Sequence, residues 1–357
     1  MKIGKQGKAP VKLKRTTTTS QKIGAIIRVI VLIGLLVGLV WSQNNLVITK
    51  DYTYKSDRIP KTFVGYTIAH VTDLHNTSVS AIGAVDRCNP DLILVTGGLD
   101  DDSNNFKHTA KDIKKLASIA PTYYVLGAGD TNFRNEIAAA IGDSAVLIED
   151  GAVSINAPKV DESAFIDKYI GSKIVSDANN GDELAKQYIE YTKKTLVEDA
   201  NKTLLISGFT ARENNTISLE EIYEVIGTNK EVFQVSMAHQ IGLYDDLSNA
   251  DIDIVFSGET HGTNAINSSY KKGVYNRYGT TLFLNGGVGN NSKYPSRIMN
   301  YPEVIAVTLS DGTIKDENPL EKLLSHFISD VGTKFDDDGG FKEYTYEYGN
   351  SYYVEPK

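Results

Sequence analysis

Nineteen consecutive residues, Ile23 to Trp41, read IGAIIRVIVLIGLLVGLVW and carry a single charge, Arg28. Coiled as a helix they span about 28 Å, close to the hydrocarbon core of about 30 Å that a membrane segment must cross. Arg28 lies near one end of the run, where its long side chain can reach the interface. No small-residue A-x-A-like site follows Trp41, so the run reads as an uncleaved anchor over 23–41, with a cleaved signal peptide as the alternative. Lys2, Lys5, Lys8, Lys12, Lys14, Arg15, Lys22 and Arg28 all precede residue 42, with no acid among them. The positive-inside rule therefore predicts a single-pass protein of the cell membrane, N-terminus cytoplasmic and C-terminal domain extracytoplasmic. Residues 1–22, basic and Thr-rich, read as a disordered leader able to touch anionic lipid.

The rest of the chain has a different charge. Of 357 residues, 37 are Lys or Arg and 45 are Asp or Glu. Setting aside the eight N-terminal cations leaves 29 against 45, a body with a net charge of −16. Nucleic-acid binding depends on neutralising phosphates with Lys and Arg, so that function is excluded. The single cysteine, Cys88, forbids an internal disulfide or a Cys-based zinc cluster and reads as a small buried residue.

Past the anchor, short β-rich apolar runs alternate with helical stretches, which predicts a sheet layered with helices. Strands are expected at 67–72, 92–96, 123–126 and 145–148, with helices near 80–88, 109–119 and 135–141 between them. A polar stretch at 158–202 reads as a helical insertion. Strands then resume at 203–207, 232–237, 252–257, 281–285 and 304–309. The domain so defined covers 45–310, and 311–357 reads as an acidic, Tyr-rich C-terminal extension.

Open α/β sheets place their ligands beyond the carboxyl ends of the strands. Five such ends carry unusual residues: Asp73-Leu74-His75-Asn76, Thr96-Gly97-Gly98-Leu99-Asp100, Leu126-Gly127-Ala128-Gly129-Asp130, Met237-Ala238-His239-Gln240 and Ser257-Gly258-Glu259-Thr260-His261. Each is weak alone, but their order and placement together are specific.

In these motifs, and in the phrase SDRIPKTFVGYTIAHVTDLHN at 56–76, the sequence resembles the calcineurin-like metallophosphoesterases, membrane-anchored bacterial type. The resemblance covers about residues 45–310 and includes PSRIMNYPEV at 295–304. It implies a layered α/β/β/α sandwich, preceded here by the transmembrane helix, and two-metal hydrolysis of phosphoesters. Residue by residue, it makes Asp73, His75 and His261 ligands of a first metal, and His239 and Glu259 the remnant of a second. It also shows losses. Gly98 replaces the carboxylate that bridges both metals, Ala128 replaces an Asn ligand, Gly129 replaces the His that assists the leaving group, and Glu259 replaces a His. Asp130 survives as the one catalytic candidate, and Asn76 is a substrate-binding candidate.

Two doubly charged ions about 4 Å apart repel by roughly 16 kcal/mol at an effective dielectric near 20, and no bridging carboxylate remains to screen them. The resemblance therefore implies at most one divalent metal, Mn, Fe or Zn, and no binuclear centre. A missing general acid removes about 10² to 10⁴ in rate. Three readings follow: a pseudoenzyme whose cleft binds a phosphorylated small molecule or lipid, an active hydrolase of a lipid- or wall-linked phosphoester, or a scaffold in which these residues are relics. Asp100, Asp101 or Asp102 could reach inward to replace the lost carboxylate. Lys271, Lys272, Arg277, Lys293 and Arg297 could form a basic patch for an anion, or be solvated surface charge. Protease added to intact cells is expected to digest the body beyond residue 45 and spare the leader; protection of the body would reverse the topology.

Overall fold

The computed structural model describes residues 19–75, 81–99, 106–159, 161, 172–199, 201–261, 270–289, 297, 300–311, 342–345 and 351–356. The expectations that rest on residues 1–18, Asn76, Asp100 to Asp102 and Lys293 lie outside these, as do parts of the insertion and most of the C-terminal extension.

The apolar run lies within one helix, α1 (Thr19–Asn45), unbroken by proline and long and apolar enough to cross a membrane. Its side chains are almost all exposed: Leu35 is 67% and Trp41 60% accessible. The helix runs several residues beyond Trp41, and its last turn meets the folded body.

The body is a mixed α/β sandwich of two sheets. The first sheet uses β1 (Ile48–Lys55), β2 (Thr67–Val71), β3 (Leu92–Thr96), β4 (Thr122–Val125), β5 (Val146–Leu147), β12 (Glu303–Ser310), β13 (Lys342–Thr345) and β14 (Ser351–Pro356), in the order β13-β14-β1-β12-β2-β3-β4-β5. From β2 to β5 the strands are parallel, whereas β12 is antiparallel to β2 and parallel to β1. The second sheet is built from β6 (Gly151–Asn156), β7 (Thr203–Phe209), β8 (Phe233–Ala238), β9 (Ile254–Ser257), β10 (Gly273–Arg277) and β11 (Thr280–Leu284), in the order β10-β11-β9-β8-β7-β6. Its four inner strands are parallel, and β6 and β10 close the two edges antiparallel.

Strand side chains alternate between faces, and that alternation builds the layers. Ile68, Leu92 and Leu94 of the first sheet meet Ile206, Val235, Met237, Ile254 and Phe256 of the second in one buried core. Ala69, Ile93 and Val95 point the other way, onto α2 (Ala81–Arg87), α3 (Phe106–Ala117) and α4 (Arg134–Ile141). On the outer face of the second sheet, Val255 and Leu282 pack beneath α7 (Leu219–Ile226) and α8 (Leu243–Leu247). Helix α7 starts where its sequence says it should, because Ser218 and Glu221 form a reciprocal capping box.

The expected fold class is thus present, with helix, two sheets and helix in layers. The strands that sequence reading leaves out are those with weak apolar signal. β1, ITKDYTYK, is a polar run whose Tyr54 is buried against Phe233, ring centroids 5.9 Å apart. β14 lies in the Tyr-rich extension and pairs with β1, so the extension contributes strands to the first sheet. Within the insertion, α5 (Ser172–Asn179) and α6 (Glu183–Asp199) are helical as expected. The end of α6 docks on the turn before β2, where Asp199 accepts the Lys61 backbone N–H at 2.7 Å. That turn is at the amino end of β2, away from the strand carboxyl ends.

Candidate metal centre

The carboxyl ends of β2, β3, β4, β8, β9 and β11 meet at one edge of the sandwich. The loop after β2 is tied to the loop after β3, since the Asp73 N–H donates to the Gly97 carbonyl and the His75 N–H to the Gly98 carbonyl, each at 3.0 Å. Asp73, His75, Glu259 and His261 all have left-handed backbones, with φ of 53°, 38°, 71° and 49°. Non-glycine residues pay for such conformations with strain and keep them only where surrounding structure holds them, typically at functional sites.

Three of these residues, Asp73, His75 and His261, bring their side chains together, with His239 beside them. Oδ1 of the buried Asp73 lies 3.4 Å from His261 Nε2, 3.5 Å from His75 Nε2 and 4.0 Å from His239 Nε2. The His75 and His261 rings stack, with centroids 4.9 Å apart. His239 Nδ1 is 2.7 Å from the Thr96 carbonyl, which sets the tautomer with the proton on Nδ1 and turns the Nε2 lone pair towards Asp73. Two imidazoles and a carboxylate are a set that borderline divalent cations favour. Ligand atoms around a tetrahedral ion with bonds of about 2.1 Å stand about 3.4 Å apart, and the spacings from Asp73 Oδ1 to His75 and His261 fit that value. Their ligand atoms all lie within 4.8 Å of one another.

Burial alone would raise the Asp73 pKa, but the facing His261, His75 and His239 outweigh it and hold the carboxyl well below the usual carboxylate range. Burial also pushes His261 down to about 4, against the pull of Asp73. The His261 ring therefore stands neutral at pH 7, in the form that binds metal. His70, one layer deeper, is lowered by burial to about 3, with its Nε2 on Thr96 Oγ1 at 2.7 Å and its ring against Phe256.

The other expected site residues take different places. Asp130 is buried, and its two oxygens accept the Leu99 N–H at 2.9 Å and the Gly127 N–H at 2.7 Å, pinning the loops after β3 and β4 together. Glu259 is half-buried and accepts the Ile241 N–H at 3.0 Å, which fastens the loop after β8. Ala128 and Gly129 are exposed, and a side chain at Gly129 would meet open space. Gly98 is the opposite case. Its φ is +65°, and a Cβ there would stand 2.5 Å from Asp73 Oδ1 and 2.7 Å from Asp73 Cα. Of the expected basic patch, Arg277 pairs with Asp245 at 2.7 Å and Lys272 with Glu303 at 3.0 Å, while Arg297 is buried among backbone carbonyls.

Sequence reading passes over the loop after β11, Asn285-Gly286-Gly287, which closes on the site from the far side. Asn285 Nδ2 donates to the His70 carbonyl at 3.0 Å, and the Gly289 N–H to the Asp73 carbonyl at 2.6 Å. A glycine pair at a strand's carboxyl end was the available signal.

No protein-family model matches the sequence, and no curated protein matches it. Among solved structures, TT1561 of Thermus thermophilus superposes with a TM-score of 0.38 at 10% identity, over 62% of this chain and 90% of that one. A likeness this loose leaves the site to be read from its own geometry.

Two outcomes are expected. Gly98→Asp, which places a carboxylate beside Asp73, will fail to create a second metal site. It will destabilise the chain by about 3 kcal/mol through the left-handed backbone and the clash with Asp73, measured by denaturant unfolding. A gain of a second bound metal ion would overturn this. The metal-free chain should also lose stability on acidification. His70 and His261 are depressed in the folded state, so below about pH 6.5 only the unfolded chain takes up their protons. Between about pH 6.5 and 5 each contributes about 2 kcal/mol of loss. His70→Gln should remove roughly half of that slope; an unchanged slope would contradict the assignment.

Proposed function

We propose that the chain is a membrane-anchored, extracytoplasmic member of the calcineurin-like metallophosphoesterases whose site holds one divalent cation and binds a phosphorylated ligand with little or no hydrolysis. The convergence of three imidazole nitrogens on the single oxygen Asp73 Oδ1 carries the reading. Asp73, His75 and His261 would hold the ion, with His239 at its flank. A divalent ion there would polarise a phosphoryl oxygen and lower the pKa of a bound water.

The chain's own residues supply the rest. Asp73 remains ionised through the pH range in which proteins work, and the buried His261 stays neutral, so these donor atoms need no proton release at neutral pH. Gly98 keeps the space against Asp73 free of a second carboxylate. Gly129 offers no proton donor for a leaving group, and Asp130 has both oxygens on backbone amides. These features support binding over turnover.

Full-length protein in detergent is expected to bind about one Mn²⁺ per chain, and His261→Ala to weaken that binding by more than about tenfold. Hydrolysis of an aryl phosphodiester should stay near background with Mn²⁺ or with chelator. Unchanged stoichiometry in His261→Ala would overturn the ligand set. Chelator-sensitive turnover would overturn the non-hydrolytic reading and establish an active hydrolase.

A further inference from the structure

The last turn of the anchor reaches the same loops. Asn44, next to the end of α1, accepts the Arg297 backbone N–H on Oδ1 at 2.7 Å and donates from Nδ2 to the Arg297 carbonyl at 3.0 Å. This is a two-point grip on one residue's backbone. The Arg297 side chain is 3% exposed and turns inward. Its guanidinium donates to the carbonyls of Gly286 at 2.8 Å, Gly289 at 2.7 Å and His261 at 3.4 Å. Asn300 adds a second donor to the His261 carbonyl at 2.7 Å.

Those carbonyls belong to the loops that form the site. His261 presents its ring from a left-handed backbone, a strained conformation that persists only under external restraint. Gly289 in turn donates its N–H to the Asp73 carbonyl. A continuous set of bonds therefore runs from Asn44 through Arg297 to the backbones of His261 and Asp73. Topology agrees, because β1 begins at Ile48 opposite Glu303, at the carboxyl end of β2 where Asp73 lies. Trp41, exposed one turn before Asn44, is an amphipathic ring of the kind that sits at a membrane interface. With the helix seated in a membrane, the grip would stand at its surface.

We propose that the last turn of the anchor is a working part of the metal centre: Asn44 is a positioning residue that acts through Arg297 to hold the His261 and Asp73 loops in ligating geometry. The inference rests on the metal reading above for its affinity effect and on the bonds alone for its mechanical effect. Metal affinity then depends on how the anchor is seated, and a body detached from its helix binds the ion more weakly.

The test uses the full chain in lipid nanodiscs, with Mn²⁺ binding followed by electron paramagnetic resonance and with hydrogen exchange of the metal-free protein. Asn44→Ala keeps a good helix former in α1, and is expected to weaken Mn²⁺ binding roughly tenfold, the usual effect of losing a group that supports metal ligands. Asn44→Asp, which retains the acceptor for the Arg297 N–H, should recover part of the loss. Ser42→Ala, which removes a hydroxyl that donates to the Leu39 carbonyl of its own helix, should leave affinity unchanged. Without metal, Asn44→Ala should speed exchange in peptides covering 257–261 and 285–289 while 203–209 and the global unfolding midpoint stay unchanged. Faster exchange everywhere with a lowered midpoint would make Asn44 merely structural and overturn the proposal. Unchanged exchange in the site peptides would overturn it as well. If the unsubstituted chain binds no Mn²⁺, the metal reading falls, and the exchange comparison alone decides whether the anchor grips the site.

Discussion

An ionised carboxylate removed from water must be met by opposite charge, by donors or by a cation, and Asp73 is fully buried at the meeting point of both sheets. The groups around it form a donor set that a cation would complete. Three histidines face Oδ1, the backbones of Asp73 and its neighbours are bonded to the loops after β3 and β11, and glycines at 98 and 287 leave room only for the carboxylate itself. The left-handed backbones at Asp73, His75, Glu259 and His261 are strain stored in that arrangement, held by the packing of the sandwich beneath.

The same constraint acts on the loops that surround the carboxylate. With Gly98 in contact with Asp73, a side chain at that position has nowhere to go. Asp130 and Glu259, acidic residues in motif positions, accept backbone amides and stabilise loop ends. Their role is architectural here: each joins one strand's terminal loop to another's. The long N-terminal helix joins this network through Asn44 and Arg297, so helix and candidate site form one bonded unit.

Much of this was legible in the chain. The nineteen-residue apolar run announced the long helix, and the alternation of β-rich and helical segments announced the layers, because hydrophobic period and length are local properties. Asp73, His75, His239 and His261 stood out as polar residues at strand ends. The polar strand β1, the strands of the Tyr-rich extension and the Asn285-Gly286-Gly287 loop did not, since their apolar pattern is weak and their partners are distant in sequence. Arg297 looked like one cation of a surface patch, and only its burial among carbonyls revealed a different use.

The sequence by itself determined the long apolar helix, the layered fold class and which side chains could ligate, because each is written in composition and spacing over a few residues. Tertiary structure alone decided that His75, His239 and His261 face one oxygen of Asp73, that Asp130 and Glu259 turn to backbone amides, and that Asn44 reaches Arg297. Those outcomes depend on distances between segments up to 253 positions apart, which packing sets and local sequence does not.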